Sequence, residues 1–206
     1  MNAMSVLGRD WLLEHKDVIQ PFREEKVSGK SQDGIPVVAS YGLSEAGYDV
    51  QIHPDAPIYR LELKREYYDA LDIARPDSYN LRSLEVITDD KFGPFVILPP
   101  KEQILAVTKE FFSMPEGVMG LCVGKSTLAR SGIAINATPL EPGWKGYLTL
   151  EIANMMPFPI RLYLSNGVAQ IIFHEVIGSS RLYSGKYQLQ PPRPIPPIPS
   201  FKNGSS

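Results

Sequence analysis

The chain has 206 residues, of which 43% are hydrophobic and 21% charged, enough for one domain with a real core. Its net charge of −2 gives no basic surface for duplex nucleic acid, so we expect no nucleic-acid partner and a small anion as ligand. The single cysteine, Cys122, excludes an internal disulfide and a cysteine-rich metal cluster. Without a long apolar run or a signal-peptide core, the sequence predicts no membrane partner and a cytoplasmic location.

The predicted elements begin with one short helix from Gly8 to Ile19, which ends before Pro21. Residues 62–78 are more polar and predict a helical turn or an excursion between strands. Most of the remaining chain reads as short β-branched or alternating runs bounded by Gly, Pro or Asn, which predict antiparallel strands in a sandwich or barrel. These runs are FVILPP, QILAVTKEFF, GIAINAT, GYLTLEIAN, PIRLYL and GVAQIIFHEV.

The chain ends in a proline-rich stretch, QPPRPIPPIPSFKNGSS, that begins at Gln190. Proline has no amide donor for a β-ladder, so this stretch predicts an extended polyproline II arm or a disordered tail. We see no internal repeat. The sequence therefore predicts one domain over residues 1–190 and a proline-rich tail over residues 191–206.

A group of cationic and hydroxyl side chains stands in one short segment, Gly124 to Arg130. We call Lys125, Ser126, Thr127 and Arg130 the cationic cluster, because Lys, Arg and hydroxyl groups are the usual partners of phosphates. The segment resembles the end of a P-loop, but only three residues separate Gly120 from Gly124 where the P-loop pattern has four, so the spacing fails. We therefore expect phosphate binding without an ATPase fold.

Glu151 lies in the apolar run GYLTLEIAN. In one interpretation it is a partly buried carboxylate whose pKa is raised by burial and lowered by a cation such as Arg130. In the other it lies on a wet strand face beside a surface lysine, since alternation puts Thr149 and Glu151 on one face. The pattern alone leaves both open.

Three motifs occur in order: GKSTLARSG at 124–132, PLEPGWKG at 139–146 and TLE at 149–151. Together they resemble the deoxycytidine triphosphate deaminase branch of the trimeric dUTPase superfamily. Further matching segments are IQPF at 19–22, YGLSEAGYDV at 41–50, NMMPFPIRLY at 154–163, GVAQIIF at 167–173 and GKYQLQ at 185–190. The resemblance implies an all-β, dUTPase-like distorted β-barrel or jelly roll, with a short N-terminal helix and an extended proline-rich C-terminal arm. It also implies a homotrimer with three sites between subunits.

The activity that this resemblance implies is hydrolysis of dCTP to dUTP and ammonia, which supplies dUTP for thymidylate synthesis. Glu151 matches the family's catalytic glutamate, with Arg130 holding the carboxylate and the water. Ser126 would bond the water or the exocyclic amine, with an N-cap or turn role as its alternative. Glu141 matches an acid that contacts the 3′-hydroxyl in the deaminases and activates water in dUTPases.

The remaining predicted contacts also come from the resemblance. Catalytic roles are expected of Glu151, Arg130 and Ser126. Substrate contacts are expected of Lys125, Ser126, Thr127, Arg130, Asn136, Ala137, Thr138, Glu141, Thr149, Gln170, Lys186 and Gln190. Within this set the backbone of Asn136, Ala137 and Thr138 would meet the base edge, and Lys186 and Gln190 would belong to a lid that closes over the triphosphate.

Metal chemistry is constrained by the residue inventory. Zinc deaminases need an H-x-E and a P-C-x-x-C pattern, and three histidines with one cysteine do not supply it. We predict a deaminase without zinc, in which Mg²⁺ arrives only on the nucleotide triphosphate.

Three other functions stay open at this point. One is a bifunctional deaminase and dUTPase that releases dUMP, and one is a non-catalytic nucleotide-sensing module whose proline-rich tail binds a partner. The third is a deaminase for a C5-modified deoxycytidine nucleotide. Two positions depart from the family: Leu189 replaces a glycine, so any positive φ there would be penalised, and Gln51 replaces an arginine.

Overall fold

A computed structural model describes residues 5–64, 79–178 and 181–198. The described residues are mainly β-strands, as the periodicity predicts. Two short α-helices occur, α1 (Arg9–Glu14) and α2 (Ser126–Arg130). The strands are β1 (Val6–Leu7), β2 (Ile19–Gln20), β3 (Val27–Lys30), β4 (Pro36–Ser44), β5 (Gly47–Gln51), β6 (Tyr59–Leu63), β7 (Tyr79–Ser83), β8 (Ile87–Asp89), β9 (Gly93–Leu98), β10 (Gln103–Ser113), β11 (Val118–Gly124), β12 (Ile133–Asn136), β13 (Lys145–Asn154), β14 (Ile160–Tyr163) and β15 (Gly167–Glu175).

The N-terminal helix is shorter than predicted. It ends at Glu14, and a 3₁₀ turn, Lys16–Val18, leads into β2. The helix breaks at His15, whose backbone leaves the helical region at φ −123° and ψ 49°. The His15 ring stacks on Trp11 at 4.3 Å between centroids, and its Nδ1 lies 2.8 Å from the Trp11 carbonyl oxygen. These contacts fix the C-terminal end of the helix.

Antiparallel pairing organises the strands into three sheets. The first has the order β1-β15-β5-β4-β3, with β11 also pairing β15. The second has the order β12-β13-β10-β6-β7, with β2 also pairing β10, and the third has the order β14-β9-β8. All six predicted strand segments are present. Of the polar stretch 62–78, β6 ends at Leu63, and residues 65–78 lie outside the described residues.

One hydrophobic core joins the first and second sheets. Its fully buried side chains include Tyr48 and Phe173 from the first sheet and Ile104, Phe112 and Leu150 from the second. Burying side chains of this size contributes roughly 1.5–3 kcal/mol each. The second sheet thereby gains a rigid frame, and its strand β13 carries Glu151.

Candidate active site

A cavity of about 950 Å³ lies against one face of the second sheet. Its floor comes from three neighbouring strands: Thr149 and Glu151 on β13, Leu105 on β10 and Leu61 on β6. Register explains why these side chains share a face, because Leu105 lies directly opposite Glu151 and opposed residues of antiparallel strands project to the same side. The floor is therefore apolar around one carboxylate.

Glu151 is the polar centre of this floor. Its Oε2 is buried and has no hydrogen-bond partner among the residues that the structure describes. Burial raises the pKa of Glu151 above its ordinary value, because the charged form loses its hydration. Of the two interpretations of Glu151, the structure favours the partly buried carboxylate over the wet strand face.

A thiol lies near the same carboxylate. Burial raises the pKa of Cys122 to about 12, and the charge of Glu151 adds to the rise. A thiol with such a pKa stays protonated at neutral pH and is a poor nucleophile. Cys122 is thus a half-buried neighbour of the carboxylate with no nucleophilic role.

The turn between β12 and β13 forms one wall of the cavity. Thr138 and Glu141 line it, and both are exposed at the rim. Trp144 closes the wall from below, where it is buried and donates its indole N–H to the Tyr187 carbonyl at 2.7 Å. The Trp144 indole therefore packs in the core and ties the turn to the C-terminal segment.

The C-terminal segment, residues 181–198, forms the roof. The backbone of Tyr147 donates to the Gln190 carbonyl at 3.1 Å, and Leu189 donates to the Lys145 carbonyl at 2.8 Å. Thr149 Oγ1 donates to Gln190 Oε1 at 2.9 Å. Gly146 permits this docking, because a Cβ there would lie 2.7 Å from the Gln190 nitrogen.

Leu189 adopts the left-handed conformation, at φ +58°. Position 189 therefore has the positive φ that we expect to be unfavourable for a residue other than glycine. The side chain is 66% exposed, so packing does little to compensate for the backbone energy. A non-glycine residue in this conformation costs roughly 1–2 kcal/mol.

The proline-rich arm has no strand or helix in its described part, residues 191–198, as predicted. It packs over the cavity, however: Pro194 is buried, and Ile195 and Pro197 line the cavity roof. The Ile198 carbonyl accepts a hydrogen bond from Lys186, and the Ile198 amide donates to the Tyr187 hydroxyl at 3.1 Å. The arm is thus part of the cavity wall.

The cationic cluster lies elsewhere, at the junction of β11 and α2. Lys125, which the sequence suggests as a phosphate ligand, points inward: its Nζ lies 2.6 Å from Asp49 Oδ2 and 2.8 Å from the Ser40 carbonyl. The Asp49 side chain is only 2% exposed. Lys125 therefore neutralises a buried aspartate in this chain.

The other members of the cluster are on the surface. Ser126, Thr127 and Arg130 are exposed and do not line the cavity. Ser126 is the first residue of α2, and no side-chain hydrogen bond caps that helix, so the capping alternative has no support. Within the described part of one chain, Arg130 forms no ion pair, and the expected contact with Glu151 is absent.

A family model described as dCTP deaminase-like matches residues 9–176. The chain belongs to the dCTP deaminase-like family.

Several proteins with that name are similar to this chain over most of its length. A dCTP deaminase of Protochlamydia amoebophila is 38% identical over 175 residues, which are 84% of this chain and 86% of that protein. A dCTP deaminase of Herpetosiphon aurantiacus is 36% identical over 204 residues, covering 95% of this chain and all of that protein.

A solved structure has the same fold. The 2′-deoxycytidine 5′-triphosphate deaminase of Agrobacterium tumefaciens superposes with a TM-score of 0.54 at 15% identity, over 84% of this chain and 49% of that one. The match therefore spans about half of the length of that chain. The all-β fold predicted from strand periodicity and from the resemblance is confirmed.

The predicted site residues of this dCTP deaminase-like chain fall into two groups. We call the group that lines the cavity the cavity cluster. It comprises Thr138, Glu141, Thr149, Glu151, Lys186 and Gln190. Asn136 and Ala137 stand beside it on or next to β12, where Asn136 is directly opposite Glu151. The cationic cluster and Gln170, whose Nε2 donates to Ser44 Oγ at 2.7 Å, do not line this cavity.

Sequence reasoning missed three kinds of residue. Asp49 stands in the matched motif YGLSEAGYDV and was not identified as the partner of Lys125. Gln103 and Leu61 line the cavity but belong to no motif that we identified. Ile195 lies in the stretch that the sequence predicts to be a tail. A proline-rich composition predicts that a segment is extended, but it does not predict where the extended segment packs.

Among the described residues, no three His, Cys, Asp or Glu side chains are grouped so that they hold a metal ion. The helices within that part of the chain are too short or too polar to cross a bilayer.

Proposed function

We propose that this protein converts dCTP to dUTP and ammonia by hydrolysis. The names of its relatives support the substrate, and Glu151 supports the chemistry. The observation that carries the proposal is the Glu151 Oε2, which is buried at the floor of the cavity and has no hydrogen-bond partner among the described residues. The reaction needs one group that first accepts a proton from water and later donates it, and a desolvated carboxyl with a raised pKa is suited to both steps.

The proposed reaction starts with Glu151 ionised. Its carboxylate takes one proton from a water molecule, whose oxygen forms a bond to C4 of cytosine, and passes that proton to N3. Glu151 then takes the remaining proton from the C4 hydroxyl and passes it to the amine, so that the bond from C4 to the amine nitrogen breaks, ammonia leaves and a C4 carbonyl remains. The roof formed by residues 181–198 excludes bulk water and strengthens the electrostatic interactions in the cavity.

The triphosphate and the second half of the site are assigned to a neighbouring subunit of a homotrimer. Each cavity contains Glu151, the proposed catalytic base, but lacks Ser126 and Arg130, which the family resemblance implies next to Glu151. Both are exposed on the same chain, where they are available to another copy. Three equivalent sites between subunits are consistent with closed symmetry.

Mg²⁺ is proposed to enter as the complex of the nucleotide triphosphate. The absence of a carboxylate cluster among the described residues gives the ion no cage of protein ligands, and Mg²⁺ is commonly held through substrate phosphates. The residues expected to meet that complex are Lys186 from the roof and Arg130 from the neighbouring copy. The single cysteine and the nucleotide substrate favour a cytoplasmic setting.

The test is incubation of the protein with dCTP, dUTP and dCMP, with ammonia and pyrophosphate measured separately. We expect ammonia from dCTP and little pyrophosphate from either triphosphate. Glu151→Gln should lower kcat by about 10²–10⁴-fold, the usual contribution of general acid-base catalysis, with dCTP affinity within about tenfold. A Glu151→Gln enzyme with more than a few per cent of the wild-type rate would rule out Glu151 as the base. Stoichiometric pyrophosphate would indicate the bifunctional reaction instead.

A further inference from the structure

The cavity extends past Glu151 to a part of the floor that the proposed reaction does not use. There, Leu105 and Leu61 form an apolar surface, and Gln103 stands at the rim. The Gln103 side chain is exposed and has no hydrogen-bond partner in the described part of the chain. Ile195 of the arm lines the same cavity.

Sheet order determines which edge of a bound base faces this region. The order β12-β13-β10-β6 places β12 on one side of Glu151 and β10 and β6 on the other. The resemblance implies that the backbone near Asn136, on the β12 side, meets the edge of the base, and we take this to be the edge of cytosine that carries N3 and the amine. The opposite edge, C5 and C6, then faces Leu105, Leu61 and Gln103.

We infer that Gln103 and its apolar neighbours form a subsite for a substituent on C5 of the base, so that C5-hydroxymethylated deoxycytidine triphosphate is also a substrate. This inference rests on the proposed deamination and specifies its substrate class. Leu105 and Leu61 contact the carbon of the substituent, and the Gln103 amide bonds its hydroxyl.

Gln103 suits a hydroxyl better than a charged or purely apolar group. An amide both donates and accepts hydrogen bonds, so it pairs with a hydroxyl in either orientation. Because Gln103 is exposed at the rim, water can hydrate its amide when the base has no C5 substituent. Binding of unmodified dCTP therefore leaves no buried polar atom of Gln103 without a hydrogen-bond partner. The subsite therefore admits a hydroxymethyl group without excluding hydrogen at C5.

The reaction itself is unchanged by the substituent. Water oxygen forms the bond to C4, the bond from C4 to the amine nitrogen breaks, and ammonia leaves. The C5 hydroxymethyl group stays on the product, and the step requires no oxidant or further reactant.

The experiment compares kcat/KM for dCTP, 5-methyl-dCTP and 5-hydroxymethyl-dCTP, measured as ammonia release by the full-length protein. We expect the wild-type ratio of 5-hydroxymethyl-dCTP to dCTP to lie within about tenfold of one. Gln103→Leu should lower this ratio about threefold to tenfold, the range of one lost hydrogen bond, without lowering the ratio of 5-methyl-dCTP to dCTP. Gln32→Leu, at an exposed glutamine in the turn between β3 and β4, is the matched control and should leave both ratios unchanged.

Two results would overturn the inference while leaving the proposed function intact. One is a wild-type enzyme that deaminates dCTP but prefers it to 5-hydroxymethyl-dCTP by more than about a hundredfold. The other is a Gln103→Leu enzyme whose ratio matches that of Gln32→Leu. Absence of ammonia from dCTP itself would overturn the proposed function, and this inference with it.

Discussion

The cavity cluster and the cationic cluster differ in how their charged side chains are paired. In the cavity cluster, the Glu151 carboxyl is partly buried, and its Oε2 has no hydrogen-bond partner among the described residues. In the cationic cluster, Lys125 is fully engaged by Asp49 and Ser40, while Arg130 is exposed. Among the described residues of one chain, Glu151 has no cation beside it, and Arg130 has no carboxylate partner. The two side chains are complementary in charge. Because one chain does not bring them together, the contrast points to a site shared by two copies.

The strongest test of this contrast is subunit mixing. Glu151→Gln and Arg130→Ala should each be nearly inactive as homotrimers, because each removes one half of every site. When equal amounts are unfolded and refolded together, random assembly should restore roughly a quarter of the wild-type activity, since each site needs one intact half from each of two subunits. Ammonia release from dCTP is the measurement.

The outcome of the mixing experiment separates two arrangements. Mixed trimers no more active than the parent variants would mean that both residues serve a site within one chain. Arg130→Ala should also leave the stability of the monomeric fold within about 0.5 kcal/mol, as expected for a surface residue. A buried ion pair between Arg130 and Glu151 would give a larger loss of unfolding free energy, but Arg130 is exposed, so we do not expect that loss.

A second test addresses Lys125. Lys125→Met should destabilise the protein by roughly 3–5 kcal/mol, because it leaves Asp49 as an unpaired buried charge. The midpoint of urea unfolding is the measurement. Arg82→Met, which removes an exposed partner of Glu62, is the matched control and should shift the midpoint little. Equal effects of the two variants would mean that Lys125 is free to act as a phosphate ligand.

A third test asks whether a raised pKa alone marks a functional carboxyl. Glu110 is enclosed in the core, where its Oε2 accepts a hydrogen bond from the Gln51 amide at 3.2 Å, and burial raises its pKa to about 8 from an ordinary value of 4.5. Because the folded value is the higher one, this group stabilises the fold at low pH, and that stability is lost as pH rises from about 4.5 toward 8.

The variant Glu110→Gln should remove this pH dependence. Relative to wild type, we expect it to gain roughly 2–4 kcal/mol of unfolding free energy between pH 5 and pH 8, measured by urea unfolding at both values. Glu116→Gln, at an exposed turn position, should show no such gain. A Glu110→Gln protein that loses stability in parallel with wild type would show that the carboxyl is ionised in the fold.

The smallest expected effect concerns the arm. Truncation after Gln190 removes Ile195 and Pro197 from the roof and the hydrogen bonds of Ile198, so KM for dCTP should rise about tenfold, the equivalent of about 1.4 kcal/mol. Truncation after Ile198 removes only residues 199–206 and is the control. If both truncations behave alike, the arm is a dispensable tail and not part of the cavity wall.

Much of this molecule is predictable from sequence, because strand periodicity and motif order are local properties. Glu151 stands in a motif, but the apolar residues on both sides of it left its partial burial open, and the structure decided between the two interpretations. The position of Lys125 was not predictable, since its partner Asp49 lies 76 residues away and the lysine side chain is long enough to reach inward or outward. Gln103 was missed because its importance arises from sheet order, which a single sequence does not encode locally.

The left-handed backbone at Leu189 has a consequence for turnover. An enzyme of this kind must release its product after each cycle, and a roof that is too stable would make that step slow. Leu189 in this conformation raises the energy of the docked segment by roughly 1–2 kcal/mol relative to a glycine. If the transition state for opening of the roof no longer contains this strained conformation, the whole energy is removed from the barrier. The roof then opens about five- to thirtyfold faster. The position thus adjusts the residence time of the product independently of the chemistry beneath it.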